Sequence, residues 1–370
     1  MKITSIDLFQ LDIPLKSPMI YPHKTYYALD DTIVRITTDS GLVGWGEVCP
    51  LSSTYQAEHG AGVRAALAEM APQLIDEDPT QTGRINATLD KVMMGQPYAK
   101  SAIDIACWDL TGKAYNRPIY HLIGGRMQPK ARCYPAIGIA GDNMIDTVSP
   151  EMARYRAEGH THFQLKVGRN STIELDIARI RAAGASLLPG ETLVADANKA
   201  WKVHEAVRIL RATEEVDFYI EQPCLTYEEC LEVRRRIRQP LILDESMKDI
   251  KVLLRGLADN CFDGIGCKIT RVGGISGMKL IREVCQAAGK VMTVDDAWGA
   301  DLSAATQAHL AVATPPATFF ATYISTYFSD MRYDLNAPYP VDGFIAPSDA
   351  PGLGVEPDMG ILGEPIMTFT

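Results

Sequence analysis

Between His160 and Gly299 the sequence repeats one arrangement, a short apolar run that closes on chemically loaded residues. The runs are Phe163–Gly168, Thr192–Asn198, Phe218–Pro223, Leu241–Ser246, Ile265–Lys268 and Val291–Asp296. From Asp196 to Glu221, Asp244, Lys268 and Asp295 the steps are 25, 23, 24 and 27 residues. A strand, a turn, a helix and a return loop use that kind of length, because a parallel neighbour needs a crossover of a dozen or more residues. Each run ends at its charge. The charges are therefore predicted to gather at the C-terminal ends of adjacent parallel strands, the face of a β/α barrel that carries catalysis.

Asp196, Glu221 and Asp244 fall in consecutive units and are predicted to converge on one point. Three carboxylates held together repel unless a cation sits among them, and oxygen-only ligation suits a hard divalent ion such as Mg²⁺. Each acid alone could cap the helix after it, a position that aspartate favours. Three acids in register, with Lys166 before them and Lys268 after, favour the metal. Asn198 and Glu245 are predicted to stand behind the ligands, although Asn198 also fits a plain polar turn. Glu245 is expected to point away from its neighbour Asp244 and orient another group. Asp295 is expected to hydrogen-bond Lys268, and Asp296 either meets the substrate or caps the following helix.

The remainder of the chain sets bounds. At 370 residues it accommodates a barrel plus a second unit. A net charge of −10 excludes the basic footprint of a nucleic-acid binder. The eight cysteines lack C-x-x-C pairs and mostly sit in apolar runs, which fits a reducing cytoplasm. The N-terminus alternates like a strand, with no signal peptide, and no run approaches a membrane span. Residues 1–50 read as antiparallel sheet, with a hairpin from 31–38 to 42–48 through Asp39-Ser40-Gly41. Residues 17–27, aromatic and broken by proline, read as an ordered loop. Helices are predicted at 57–71 and 99–114, and the capping unit spans 1–127, completed by 335–370. The barrel spans 128–334. Its first strand is 131–139 and its last 317–323, with helices near 149–158, 173–185, 204–213, 227–238, 247–256, 274–288 and 303–314. Seven helices and eight strands make a modified TIM barrel, (β/α)7β, under an α+β cap.

These residues carry a resemblance that covers nearly the whole chain. Lys166, Asp196-Ala197-Asn198, Glu221-Gln222-Pro223, Asp244-Glu245-Ser246 and Lys268 resemble the enolase superfamily in its muconate lactonizing enzyme-like branch. That branch usually shows Lys-x-Lys on the second barrel strand, whereas this chain has Gln164-Leu165-Lys166, so only the acid/base lysine remains. The resemblance implies Mg²⁺ held by Asp196, Glu221 and Asp244, with Lys166 and Lys268 as acid and base. It also implies lids over the barrel mouth from 17–27 and from Cys49–Tyr55, making Tyr26 and Tyr55 candidate substrate contacts.

Such a constellation suits removal of a proton α to a carboxylate. A divalent cation stabilises the charge that develops, and crowding beside it would bring a lysine toward neutrality. Two lysines on opposite faces permit racemisation, epimerisation or β-elimination. The seventh strand ends in Asp295-Asp296, without the histidine of a mandelate racemase-type base. Tyr21, Tyr26, Tyr55, Trp298 and Tyr323 form an aromatic mouth, suited to a small carboxylate bearing a cationic nitrogen. Val294–Gly299, Gln164-Leu165-Lys166 and Cys267–Gly274 together are similar to the proline-derivative subgroup. That subgroup comprises cis-3-hydroxy-L-proline dehydratases and hydroxyproline betaine 2-epimerases. The implied reaction is the dehydration, because Phe319, Phe320, Thr322 and Tyr323 offer no tryptophan to box a quaternary ammonium. Epimerisation, sugar acid dehydration and a non-catalytic metal-binding scaffold stay open. The partner expected is a small amino acid, with no nucleic acid and no membrane, and the chain is expected to form a homo-oligomer.

Overall fold

The structure, a computed structural model, describes residues 1–21, 24–51, 53, 55–138 and 144–370, and the side chains of Ile20 and Tyr21 are not described. Strands β1 (Ile3–Tyr21) and β2 (Lys24–Thr38) form one long antiparallel ribbon, paired from Ile3↔Thr38 out to Tyr21↔Lys24. The segment 17–27 is therefore mostly strand and not the loop expected from its prolines. Pro18 falls in a register shift between Pro14 and Met19, an irregularity at which a ladder tolerates a missing donor, and Pro22 lies outside the described residues. β3 (Val43–Val48) follows the predicted turn and pairs with β2.

Helices α1 (Gly60–Met70) and α3 (Pro97–Ala114) pack on this sheet, and α2 (Thr82–Val92) packs on α3. Helix α2 was not legible in the sequence, since it buries only Ile85 and Leu89 and leaves no broad apolar stripe. Helix α3 lies directly on β3. A Cβ at Gly46 would stand 1.9 Å from the Ala102 carbonyl, and one at Gly44 2.4 Å from that of Ala106. Small residues on both elements create that contact, and a short α4 (Ile119–Leu122) follows.

The barrel opens with β4 (Ala131–Arg132) and β5 (Ala136–Ile137), where one strand over 131–139 was expected. Pro135 stands in the break, and Ile139 lies outside the described residues. Then α5 (Ile145–Ala157), β6 (His162–Lys166), α6 (Ile173–Ser186), β7 (Thr192–Asp196), α7 (Val203–Ala212) and β8 (Tyr219–Glu221) follow. The series continues through α8 (Tyr227–Arg234), β9 (Leu241–Leu243), α9 (Ile250–Ala258), β10 (Gly264–Ile265), α10 (Ile275–Ala287), β11 (Val291–Met292) and α11 (Asp301–Val312). Helix α9 starts three residues later than expected, because Asp249 caps it by accepting from the Val252 amide.

Strands β5 to β11 lie side by side in chain order and all run parallel. Residues 318–322 close the ring. Met292 N donates to Thr318 O (2.7 Å) on one side, and Thr322 N donates to Arg132 O (3.0 Å) on the other. Seven helices, α5 to α11, accompany these strands among the described residues, which is the predicted (β/α)7β order. Tyr134, Val194, Ile242, Phe320 and Ala321 fill the interior, so the barrel is a packed core. The chain then pairs β12 (Phe344–Ile345) with β4, turns through α12 (Met359–Leu362) and lays β13 (Met367–Phe369) against β1. All eight cysteines are free and buried. No described helix is long and apolar enough to cross a membrane.

Candidate active site

Register alone brings the key residues together. Lys166 pairs with Asp196 across β6 and β7, and Asp196 pairs with Glu221 across β7 and β8. Asp244 follows β9 directly, and Lys268 stands beyond β10 in a bridge to Asp295. The three acids are buried, at 1%, 3% and 1% exposure. Each is taken by a protein donor. Lys166 Nζ donates to Asp196 Oδ2 at 2.5 Å, and Lys268 Nζ to Asp244 Oδ1 and Oδ2 at 2.7 and 2.6 Å. Gln164 Nε2 donates to Glu221 Oε2 at 2.8 Å. The residue that departs from the Lys-x-Lys pattern thus gives Glu221 a neutral hydrogen bond in place of a charge.

Sequence reasoning missed two members. Arg271, three residues past Lys268, donates from NH1 to the Asp244 carbonyl and to its Oδ1, both at 2.7 Å. Its only sequence signal was proximity to Lys268. Gln222 holds the end of β9, its Oε1 accepting from Asp244 N (3.0 Å) and Ser246 N (3.1 Å) while Nε2 donates to Ser246 Oγ. Asn198, Lys199 and Gln222 all have left-handed backbone, φ 43, 70 and 34. Non-glycine residues rarely adopt it, and such strain clusters where a site is held in shape.

The electrostatics show what the acids lack. Burial and then the Asp196 and Asp244 carboxylates push Glu221 well above the usual carboxylate range. Burial also opposes ionisation of Asp244, but Lys268 and Arg271 outweigh it and hold that carboxyl far below the usual range. For Lys268 burial pulls downward, yet Asp244 prevails and the net shift is upward. Lys268 is therefore held as an ammonium in this arrangement. Among the described residues, no three acidic, thiol or imidazole side chains are placed as ligands of one ion. Asp196 is drawn onto the Lys166 ammonium and Asp244 onto Lys268 and Arg271, while Glu221 takes the neutral Gln164 donor.

The donor set nonetheless fits a hard cation. Three carboxylates end three adjacent strands, and one of them is destabilised by the other two. Beside them Glu245 Oε2 is buried with no hydrogen-bond partner among the described residues. At Gly266 a Cβ would stand 3.0 Å from both Glu221 Oε1 and Asp244 Cβ, so glycine keeps that space open.

The surrounding candidates divide. Asn198 Nδ2 donates to Glu245 Oε1 (3.2 Å), and burial with Asp244 and Asp196 nearby pushes Glu245 up to about 7. Tyr55 reaches the site: its hydroxyl donates to Asp244 Oδ2 (3.2 Å), and its ring lies 5.8 Å from Lys268 Nζ. Lys199 Nζ donates to the Tyr55 carbonyl at 3.0 Å. Ser52 and Thr54 lie outside the described residues. Asp295 does not take the role expected for it. Its carboxylate accepts from Tyr134 OH (2.8 Å), Thr293 Oγ1 (2.6 Å) and Tyr323 N (2.6 Å), while the Lys268 ammonium is on Asp244. Asp296 is likewise turned inward, accepting from Ala297 N, from Thr270 N and Oγ1, and from Ser303 Oγ. It braces the turn after Lys268. Trp298 is buried edge-on against Phe328 (4.8 Å) and Tyr323 (6.5 Å), and Tyr323 packs on Tyr134 at 5.7 Å. Tyr26 sits half-buried on β2, with Lys24 Nζ 4.7 Å from its ring centre. The side chain of Tyr21 is outside the described set.

A capped (β/α)7β barrel with lysines and carboxylates at its strand ends defines a recognisable class. The sequence model of the mandelate racemase / muconate lactonizing enzyme N-terminal domain matches residues 4–124, and that of the enolase C-terminal domain-like family matches 148–361. The chain belongs to the enolase superfamily and is one of its enzymes. Among particular proteins, it is 44% identical to a cis-3-hydroxy-L-proline dehydratase from Roseibium aggregatum, with all of both chains covered. It is 27% identical to an N-succinyl-L-Arg/Lys racemase from Bacillus cereus, over 98% of each. The crystal structure of an enolase superfamily member from Roseovarius nubinhibens, complexed with magnesium, has a TM-score of 0.94 at 33% identity. It covers 100% of this chain and 99% of its own.

Proposed function

We propose that this enzyme removes the proton α to the carboxylate of a proline derivative, and that its reaction is the dehydration of cis-3-hydroxy-L-proline to Δ1-pyrroline-2-carboxylate. The observation that carries this reading is the placement of Lys166 and Lys268 at the ends of β6 and β10. Those strands are four apart in a ring of eight, so the two amines stand opposite one another across the carboxylates. The 44% identical dehydratase supports the choice of substrate.

Asp196, Glu221 and Asp244 would hold Mg²⁺, with Glu245 and Asn198 behind them. When bound, the ion supplies positive charge for the substrate carboxylate and competes with the lysines for their carboxylates, favouring a neutral amine. The stereochemistry fits opposed lysines. In cis-3-hydroxy-L-proline the hydroxyl and the carboxylate share a ring face, so the α-hydrogen lies on the other face. Loss of both is an anti elimination, with a base on one side and an acid on the other. One lysine, neutral, accepts the α-proton, and the other, an ammonium, protonates the leaving hydroxyl as water. The enamine so formed tautomerises to the cyclic imine. Tyr55 closes the mouth over Lys268 and limits water.

A second reading rests on the cluster of Trp298, Tyr323 and Phe328, which offers ring faces to a cationic nitrogen. The same two lysines would then exchange the α-proton between faces and epimerise a betaine. One experiment decides between them. Stereoisomers of 3- and 4-hydroxyproline and their betaines are incubated with Mg²⁺ in D₂O and followed by NMR. Dehydration of the cis-3 isomer is expected, and Lys166→Ala and Lys268→Ala should each lower it by about 10²–10⁴-fold. Near-normal turnover by either variant, or a preference for the trans-3 isomer, would sink the two-face mechanism.

A further inference from the structure

Away from the carboxylates that face the mouth, a second pair of acids is sealed between the cap and the barrel. Asp31 on β2 and Glu47 on β3 are 0% and 1% exposed and lie on paired strands, Glu47 opposite Ile33 and so diagonal to Asp31 on one face of the sheet. Glu47 is committed as an acceptor at both oxygens. Oε1 takes Ala300 N (2.6 Å), and Oε2 takes Ser303 N (2.6 Å) and Tyr333 OH (3.0 Å). It thus caps the first turn of α11 from the neighbouring sheet, satisfying amides a helix leaves open. Asp31 Oδ1 accepts from Thr32 N at 2.9 Å, while Oδ2 is buried with no donor among the described residues. A carboxylate oxygen in that position is costly unless a proton lies on it and points at Glu47.

The contacts continue toward the chemistry. Ser303 Oγ donates to Asp296 Oδ2 (3.2 Å), and Asp296 Oδ1 accepts from the amide and hydroxyl of Thr270, two residues past Lys268. On the other side β3 runs directly into Cys49 and the loop that carries Tyr55.

We propose that Asp31 and Glu47 share one proton, carried on Asp31, and act as a positioning pair that clamps the cap onto the turn bearing Lys268. The other groups facing the pair do not supply the donor. Asp30 is paired with Arg64 at 2.7 Å, Asp301 with Arg332, and Tyr333 already donates to Glu47. Asp296 is occupied as described, and burial followed by Asp31 and Glu47 pushes the Cys49 thiol well up. Burial, then Glu47, likewise holds Asp31 well above the usual carboxylate range, and burial brings Glu47 to about 7. Because the folded values lie above the unfolded ones, the stability this proton gives is complete below about pH 4 and declines as pH rises through the folded value.

Asp31→Asn tests the clamp, because an amide keeps the shape and the donor but cannot titrate. The wild-type unfolding constant, divided by that of Asp31→Asn, should grow about tenfold per pH unit between roughly pH 5 and 7. In the infrared region of buried protonated carboxyls, the wild type at pH 7 should show an absorption component that the variant lacks, over the background that Glu221 and Glu245 give both proteins. Resting on the function proposed above, KM should rise with alkaline pH in the wild type but not in Asp31→Asn, with kcat less affected. A ratio independent of pH, an unchanged infrared band, or an Asp31→Asn protein that fails to fold would each overturn the shared proton. The first two readouts need no activity, so they stand or fall apart from the substrate assignment.

Discussion

Glu221 shows best how one residue can be legible in a sequence while its state is not. Its position at the end of an apolar run could be read directly, because strand-end placement depends only on spacing. Its partner Gln164, its protonation and the strain at Gln222 depend on neighbouring strands, which a linear reading does not supply. Arg271 was hidden for the same reason, since its two bonds to Asp244 arise only when β9 and β10 lie side by side. The raised value of Glu221 has a measurable outcome. A ligand carboxylate must be ionised, so Mg²⁺ uptake near neutral pH should release a proton. Calorimetric heats should then vary with the ionisation enthalpy of the buffer, and affinity should fall about tenfold per pH unit on acidification. Equal affinity from pH 6 to pH 8 would remove Glu221 from the ligand set. Tyr55 gives a second outcome. Tyr55→Phe keeps the ring over Lys268 but removes the bond to Asp244, and should lower kcat/KM about tenfold, equivalent to roughly 1.4 kcal/mol. Unchanged kinetics would take the hydroxyl out of the reaction.

Elements were read with uneven success, for reasons of pattern. The parallel strands and their helices declared themselves by a repeated period, and all seven barrel helices lie near their predicted places. The tip of the β1–β2 ribbon reads as a loop because proline discourages strand, whereas the paired strands tolerate Pro18 at a register shift. Helix α2 was missed because two buried residues make too weak a stripe. The contact of α3 with β3 could not be foreseen, since small residues announce close approach without naming the partner. It now makes a test. Gly46→Ala would place a methyl 1.9 Å from the Ala102 carbonyl and should destabilise the protein by about 1–3 kcal/mol, read from urea midpoints. An unchanged midpoint would mean that α3 rides higher on the sheet than the structure shows.

At the scale of the whole molecule, cap and barrel are bound by more than surface contact. Asp104 on α3 accepts from Ser276 N on α10 at 3.0 Å, and Trp108 Nε1 on α3 donates to Ser276 Oγ at 2.9 Å. Glu47 reaches across to α11 in the same way. Such cross-links make opening of one part costly for the other, and the buried cysteines turn that property into a clock. Cys49 and Cys107 lie in the cap and the other six in the barrel, and burial pushes all eight thiols upward. Only a thiolate reacts with a disulfide reagent, so the native chain should be nearly silent and the unfolded chain should yield eight equivalents. In low urea, labelling should begin with all eight together if the molecule opens as one. Two fast equivalents, mapped to Cys49 and Cys107, would show instead that the cap lifts while the barrel stays shut.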